Sequence, residues 1–167
     1  YGQYYGIIKS VPEIALLLKK AVSQGWSADK FAAKLAETTW YKTTSSTARE
    51  WDIGIQRDPA SYQQQIDART AVIKGKALTA GLRFSDETLS SLSVNSLRNG
   101  WDEQTLQNAI GSEALKTAGG VSQLRSGYIG QDLKKDAAQY GVVLSDGTFN
   151  SWVNKIAVGE ETKESFK

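Results

Sequence analysis

The sequence predicts an all-α protein, a compact array of short antiparallel helix pairs with an internal repeat of about sixty residues. Three observations carry that prediction. Apolar residues recur at three- and four-residue intervals along most of the chain, which places them on one face of a helix. Glycines end those runs, and Ser, Thr or Asp restarts them a few positions later, as helix stops and caps do. No alternating run is long enough for a strand, and Val142-Val143-Leu144 reads only as a short extended connector.

The first helix is expected to open at Ser10-Val11-Pro12-Glu13, a capping-box pattern in which Ser10 caps and Glu13 reaches back. Pro12 fits that first turn because its missing N–H has no helical partner there. Ile14, Leu17, Leu18, Ala21 and Val22 then form one stripe, and Gly25 ends the helix. Ser27 caps a short helix carrying Phe31, Ala32 and Leu35. The polar run Thr43-Thr44-Ser45-Ser46-Thr47 reads as loop and cap before a helix with Arg49, Glu50 and Trp51.

Asp58-Pro59 is a second strong start, with Asp as cap and Pro as first helical residue. That helix carries Tyr62, Ile66, Ile73 and Ala77 to a stop at Gly81, and Gly75 inside it marks an expected bend or close approach. Ser85 caps a helix with Leu89, Leu92 and Leu97, stopped at Asn99-Gly100. Asp102 caps a short helix of Leu106, Ala109 and Ile110, for which Gly111 is the expected end. One longer helix is expected from about Ser122 to Tyr140, with Gly127 and Gly130 as weak points inside it. Ser145 then caps a helix with Phe149, Trp152, Val153, Ile156 and Ala157, which Gly159 stops, and the tail from Thr162 reads as one more short helix.

The stretch Gly81-Leu82-Arg83-Phe84-Ser85-Asp86-Glu87-Thr88-Leu89 returns as Gly141-Val142-Val143-Leu144-Ser145-Asp146-Gly147-Thr148-Phe149. A shorter echo joins Gly25-Trp26-Ser27 and Phe31 to Gly100-Trp101-Asp102 and Leu106. Short helices cannot bury their stripes alone, so such units are expected to stack. Gly119-Gly120 is the expected hinge. It divides residues 1–118, an N-terminal helical array, from residues 121–167, a C-terminal repeat packed on it, the alternative being one continuous domain. The chain opens on Tyr1-Gly2-Gln3-Tyr4-Tyr5-Gly6 without an initiator methionine and is read as the ordered fragment of a longer protein.

Composition narrows the chemistry. Twenty basic and 18 acidic residues give a formal net charge of +2, without the dense basic stripe of a nucleic-acid surface, so no direct nucleic-acid binding is expected. The chain has no Cys, His or Met. Disulfides, thiolate nucleophiles and thiolate or imidazole metal ligands are thereby excluded, as is the commonest general base. No stretch approaches the roughly 20 apolar residues of a membrane span. No catalytic, cofactor or metal site is expected.

Glu37, Glu50 and Asp58 could supply the carboxylates of a cell-wall glycosidase, but helix-surface charges and caps account for all three. Gly119-Gly120-Val121-Ser122 resembles an anion-binding helix start yet lacks the Gly-Lys-Ser/Thr ending of a nucleotide loop. The five tryptophans, Trp26, Trp40, Trp51, Trp101 and Trp152, read mainly as corner and core packing. Trp40-Tyr41 stands apart in a polar stretch. With Tyr4 and Tyr5 of the opening aromatic run, these residues are the candidate partner contacts.

Tyr1-Gly2, Pro12-Glu13-Ile14, Ala21-Val22, Gly25-Trp26-Ser27, Phe31, Thr39-Trp40-Tyr41-Lys42-Thr43, Ser46, Arg49 and Asp58-Pro59 together form a recognisable string. It resembles a recurrent segment of large virion proteins of phages infecting actinobacteria, of the minor tail or tape-measure type. Tyr140-Gly141-Val142, Ser145-Asp146, Trp152, Ile156-Ala157 and Gly159 continue the resemblance. It implies a structural component of the virion tail or its tip, held by other virion subunits and forming a homo-oligomer in a symmetric assembly. It transfers no active site. A peptidoglycan-binding module and an internal or ejected virion protein are the alternatives.

Overall fold

The computed structural model describes residues 2–117 and 119–166, with the side chains of Gln3, Tyr128 and Lys163 left aside. Among the described residues every regular element is helical and no strand occurs. The chain forms two compact units. One comprises residues 1–65 and 97–100, the other residues 66–96 and 101–167.

In the first unit a 3-10 segment, Gly2–Lys9, precedes α1 (Pro12–Ser23), α2 (Ala28–Ala36), α3 (Thr39–Thr43) and α4 (Ser46–Arg57). Its core is Ile7, Ile14, Leu18, Ala21, Phe31, Leu35 and Trp40. The opening aromatic run is therefore a helical turn, whose Tyr4 ring lies 5.6 Å from that of Phe31. Tyr1 lies outside the described residues.

Gly25 stops α1 as expected, at φ +57°, and the Trp26 N–H closes the turn on the Ala21 carbonyl at 2.9 Å. Ser27 and Ser45 cap α2 and α4 by accepting from the Lys30 and Ala48 amides. Two expectations need correction. Val11, not Ser10, is the N-cap of α1, and it makes no side-chain cap; Ser10 Oγ instead donates to the Ile7 carbonyl. Glu13 does not reach back either, because its carboxylate is engaged by α3. Trp40-Tyr41 and Thr43 are helical rather than loop, since Thr38 starts an extra turn by accepting from the Tyr41 amide at 3.2 Å.

Helix α5 (Pro59–Thr79) begins under the expected cap, with Asp58 Oδ1 accepting from the Ser61 amide at 3.1 Å. Its residues from Ile66 onward belong to the second unit, with α6 (Asp86–Arg98) up to Ser96, α7 (Glu103–Lys116), α8 (Gly120–Ser126), α9 (Tyr128–Gln139), α10 (Asp146–Val158) and α11 (Lys163–Phe166). The core there gathers Ile73, Leu82, Leu89, Leu106, Ile110, Leu124, Leu133, Phe149 and Val153 among others. Ser93 and Ser96 are also fully buried. Ser93 Oγ bonds to the Leu89 carbonyl and to Thr70 Oγ1, and Ser96 Oγ donates to the Ser93 carbonyl, which satisfies these hydroxyls.

Glycine behaves differently from expectation at four places. Gly111 does not end α7, which runs on to Lys116; it is buried where the Ala157 backbone of α10 comes too close for any Cβ. The helix expected from Ser122 to Tyr140 is two helices, broken at Gly127, whose ψ of −173° is extended. A Cβ at Gly127 would strike the Ala80 carbonyl. Gly75, by contrast, has open space around it and marks no close approach. Gly119, at φ +80°, and Gly120 lie inside the second unit, with Gly120 buried against the Ala114 carbonyl.

Four helix boundaries recur at a fixed interval. The ends of α5 and α6 (Thr79, Arg98) and the starts of α6 and α7 (Asp86, Glu103) are matched by Gln139, Val158, Asp146 and Lys163. Ser85 and Ser145 each accept from the amide of the Thr three positions on, at 3.2 Å in both cases. Gly81 and Gly141 both take positive φ, +79° and +65°.

Candidate functional site

Three of the four candidate partner residues, Tyr4, Trp40 and Tyr41, meet in a cleft of the first unit of about 480 Å³. Its construction begins at Glu13. The Glu13 carboxylate accepts from the first two amides of α3, those of Thr39 (3.0 Å) and Trp40. An acidic side chain at that position satisfies orphan N–H groups and complements the helix dipole. It also fixes Trp40 inward, 7% exposed, with its indole N–H directed to Asp52 Oδ2 at 3.3 Å.

Asp52 is held in turn by a fork. Arg98 Nε donates to Oδ1 at 2.7 Å and Nη2 to Oδ2 at 2.8 Å, the two-bond geometry that suits guanidinium and carboxylate. Those hydrogen bonds raise the Arg98 pKa above its ordinary value, against a smaller opposing effect of partial burial. At the cleft rim the Arg49 guanidinium lies 3.9 Å from the centre of the Tyr41 ring. Arg49 also donates to the carbonyls of Tyr41 (2.9 Å) and Thr44. Tyr62, which lines the cleft, is backed by Trp51 in a T-shaped pair with ring centres 4.6 Å apart.

The structure thus brings Tyr4, Trp40 and Tyr41 to one place and sends Tyr5 to another. Tyr5, 54% exposed, lines an apolar groove with Ile8, Ala15, Leu18 and Val22. Trp40, although it stands in a polar stretch of sequence, is a buried wall of the cleft and not an exposed platform. None of the other four tryptophans is exposed: Trp51 is buried, while Trp26, Trp101 and Trp152 are half-buried. The three carboxylates weighed above serve separate ends. Glu37 pairs with Lys34 at 2.9 Å, Asp58 caps α5, and Glu50 is the one carboxylate lining the cleft. Arg49, Asp52 and Arg98 are not among the candidate site residues read from the sequence, where no spacing ties Asp52 to Arg98.

No family model, curated protein or solved structure matches the chain. The site must therefore be judged on its own geometry. Among the described residues no group of three or more acidic, Cys or His side chains is placed to hold a metal, and no helix is long and apolar enough to cross a membrane. What the cleft offers is aromatic rings, the guanidinium groups of Arg49 and Arg57 and the Glu50 carboxylate, a surface chemistry suited to protein side chains.

The second unit holds two further clefts that share one plan. The first, about 290 Å³, is lined by Lys74, Ala77, Leu78, Leu82, Arg83, Phe84, Asp86 and Leu89. The second, about 470 Å³, is lined by Lys134, Ala137, Ala138, Val142, Val143, Leu144, Asp146 and Phe149, joined by Gly141 and Arg125. Every lining residue of the first has its counterpart sixty positions later in the second.

Proposed function

We propose that this chain is a structural component of a bacteriophage virion, a helical segment of a tail or tail-tip protein of the tape-measure or minor-tail type. Its action is mechanical. Stiff helical units, paired antiparallel, present apolar and aromatic surface to neighbouring subunits in a symmetric assembly. In this reading residues 66–106 and 126–166 are two copies of one unit. The recurrent boundaries, the matched caps and the two corresponding clefts support that duplication.

The observation that carries the proposal is where the glycines sit. Gly111 and Gly127 lie where helix backbones come too close for any side chain, which suits a load-bearing array better than a mobile catalytic lid. The resemblance of residues 1–59 and 140–159 to tail proteins gives that array its setting. Exposed apolar side chains at Tyr5, Leu16, Val22, Tyr140, Val142 and Val143 provide surface for partners.

Gold-labelled antibody against this chain, applied to purified particles of the phage that encodes it, tests the reading. Label on the tail or its tip is the expected result. Label seen only after heads are disrupted makes it an internal or ejected protein, and particles without any label refute a virion role. A peptidoglycan pull-down separates the glycan-binding alternative; with no exposed tryptophan among the five, no retention is expected.

A further inference from the structure

The two corresponding clefts of the second unit differ in what lies over their connectors, and that difference points to a docking surface. Over the first connector, Gly81-Leu82-Arg83, lies the corner between α8 and α9. Gln123 Oε1 accepts from the Arg83 amide at 3.2 Å. Gly127 is so close that a Cβ on Gly81 would come within 2.9 Å of its Cα. Leu82 is consequently 1% exposed.

Over the second connector, Gly141-Val142-Val143, no described residue stands where Gln123 and Gly127 stand over the first. Gly141 has nothing within 4 Å of the position a Cβ would take. Val142 is 49% exposed, Val143 97% and the adjoining Tyr140 61%. The cleft beneath is also the larger of the two, about 470 against 290 Å³. Val143 matches Arg83, which is exposed beneath the first cover as well, but Val142 and Tyr140 match Leu82 and Ala80, which are buried. Leaving these two large side chains in water at one corner is unfavourable unless something covers them.

We infer that the Gly141–Leu144 corner is a docking surface for a glycine helix corner of a further unit of the same repeat, a segment with the chemistry of Gln123–Gly127. The side-chain amide of such a segment would accept from the Val143 N–H. Its glycine, lacking a Cβ, would let the two backbones meet as those of Ala80 and Gly127 do. Arrays of this kind grow by nearest-neighbour stacking, so one covered edge specifies what fits the next. The inference rests on the duplication proposed above and not on the place of the chain in a particle.

The test is an extended chain in which a copy of residues 108–167 follows Lys167. That extension lengthens α11 as residues 107–116 extend the start of α7, and it places a second Gln123–Gly127 corner at the repeat interval from the first. Amide hydrogen exchange at Val142, Val143 and Leu144 is compared in the original and extended chains, with helix content followed by circular dichroism. Exchange at these amides is expected to slow by about tenfold or more in the extended chain. Helix content should rise with it. The same extension carrying Gly127→Leu in the appended copy alone should lose that slowing.

Unchanged exchange in the extended chain overturns the inference, whether or not the appended copy gains helix. So does protection of the same amides in the original chain that grows with concentration, which would make a second copy of this chain the occupant. Unlabelled particles in the micrographs would leave either exchange result standing, so the two failures are distinguishable.

Discussion

Gly111 of α7 lies directly against the Ala157 carbonyl of α10, and a Cβ there would collide with the backbone of the facing helix. Backbone cannot rotate aside as a side-chain end can, so the clash must be relieved by moving a helix. Gly111→Ala should therefore destabilise the protein by about 1–3 kcal/mol. Gly75 is also inside a helix but has nothing within 4 Å of a built Cβ. Gly75→Ala should stabilise by about 0.5–1 kcal/mol through the helix preference of Ala and a less flexible unfolded chain. Urea midpoints of the two variants should move in opposite directions, and a shared direction would contradict the assigned packing.

The Glu13 carboxylate, and not the Ser10 hydroxyl, holds a helix start. Glu13→Ala leaves the Thr39 and Trp40 amides without their acceptor, and about 1–2 kcal/mol of stability should be lost. Ser10→Ala removes only a hydroxyl donating to the Ile7 carbonyl three residues back, so its effect should stay within about 0.5 kcal/mol. Chemical denaturation of both variants checks the order. Equal losses would return the cap to Ser10.

The contrast between Ser10 and Ser27 shows how far sequence reading reaches. Ser27, Ser45, Asp58, Ser85, Asp102 and Ser145 are caps because the determining contact lies within three residues, and such contacts are legible in the chain order. The Glu13 bond to Trp40 spans 27 positions, and a local motif at Ser10-Glu13 masked it. Glycine carries the same ambiguity. Gly25, Gly81, Gly100, Gly141 and Gly159 all take the positive φ expected of helix stops. Gly111 and Gly127 are required by helices far away in sequence, so their pattern looked like stops or flaws. The candidate site divides on the same line. Its aromatic members stood out by composition, whereas the Asp52–Arg98 fork, 46 positions apart, depends on tertiary placement.

Asp102 links the start of α7 to pH. Hydrogen bonds from the Thr105 hydroxyl and N–H lower its pKa below the ordinary carboxylate value. A depressed folded pKa means that the unfolded chain binds its proton first as pH falls. The stabilisation is therefore complete above the ordinary value, about 4, and disappears as pH drops through the lower folded value. Asp102→Asn retains a capping oxygen but cannot titrate. Melting temperatures of the two proteins should differ at pH 6 in favour of Asp102, and the gap should close as pH falls below about 4. A gap that stays constant to pH 2 would mean that the cap does not distinguish charged from neutral oxygen.

Trp40 and Trp101 should separate by the depth of their packing. Trp40 is 7% exposed within the first-unit core and donates its N–H to Asp52. Its truncation to Ala leaves a large void and an acceptor short of one donor, so about 3–5 kcal/mol should be lost. Trp101 is half-buried beside the second-unit core, where water can occupy part of the vacated volume. Trp101→Ala should accordingly cost about 1.5–3 kcal/mol, scaled down from the fully buried case. Trp40→Phe isolates the polar contribution, because the ring remains while the N–H is lost. Arg98 still holds both Asp52 oxygens, which limits the further loss from the missing N–H to about 1 kcal/mol. Denaturant midpoints that rank Trp101→Ala above Trp40→Ala would place the wrong tryptophan in the core.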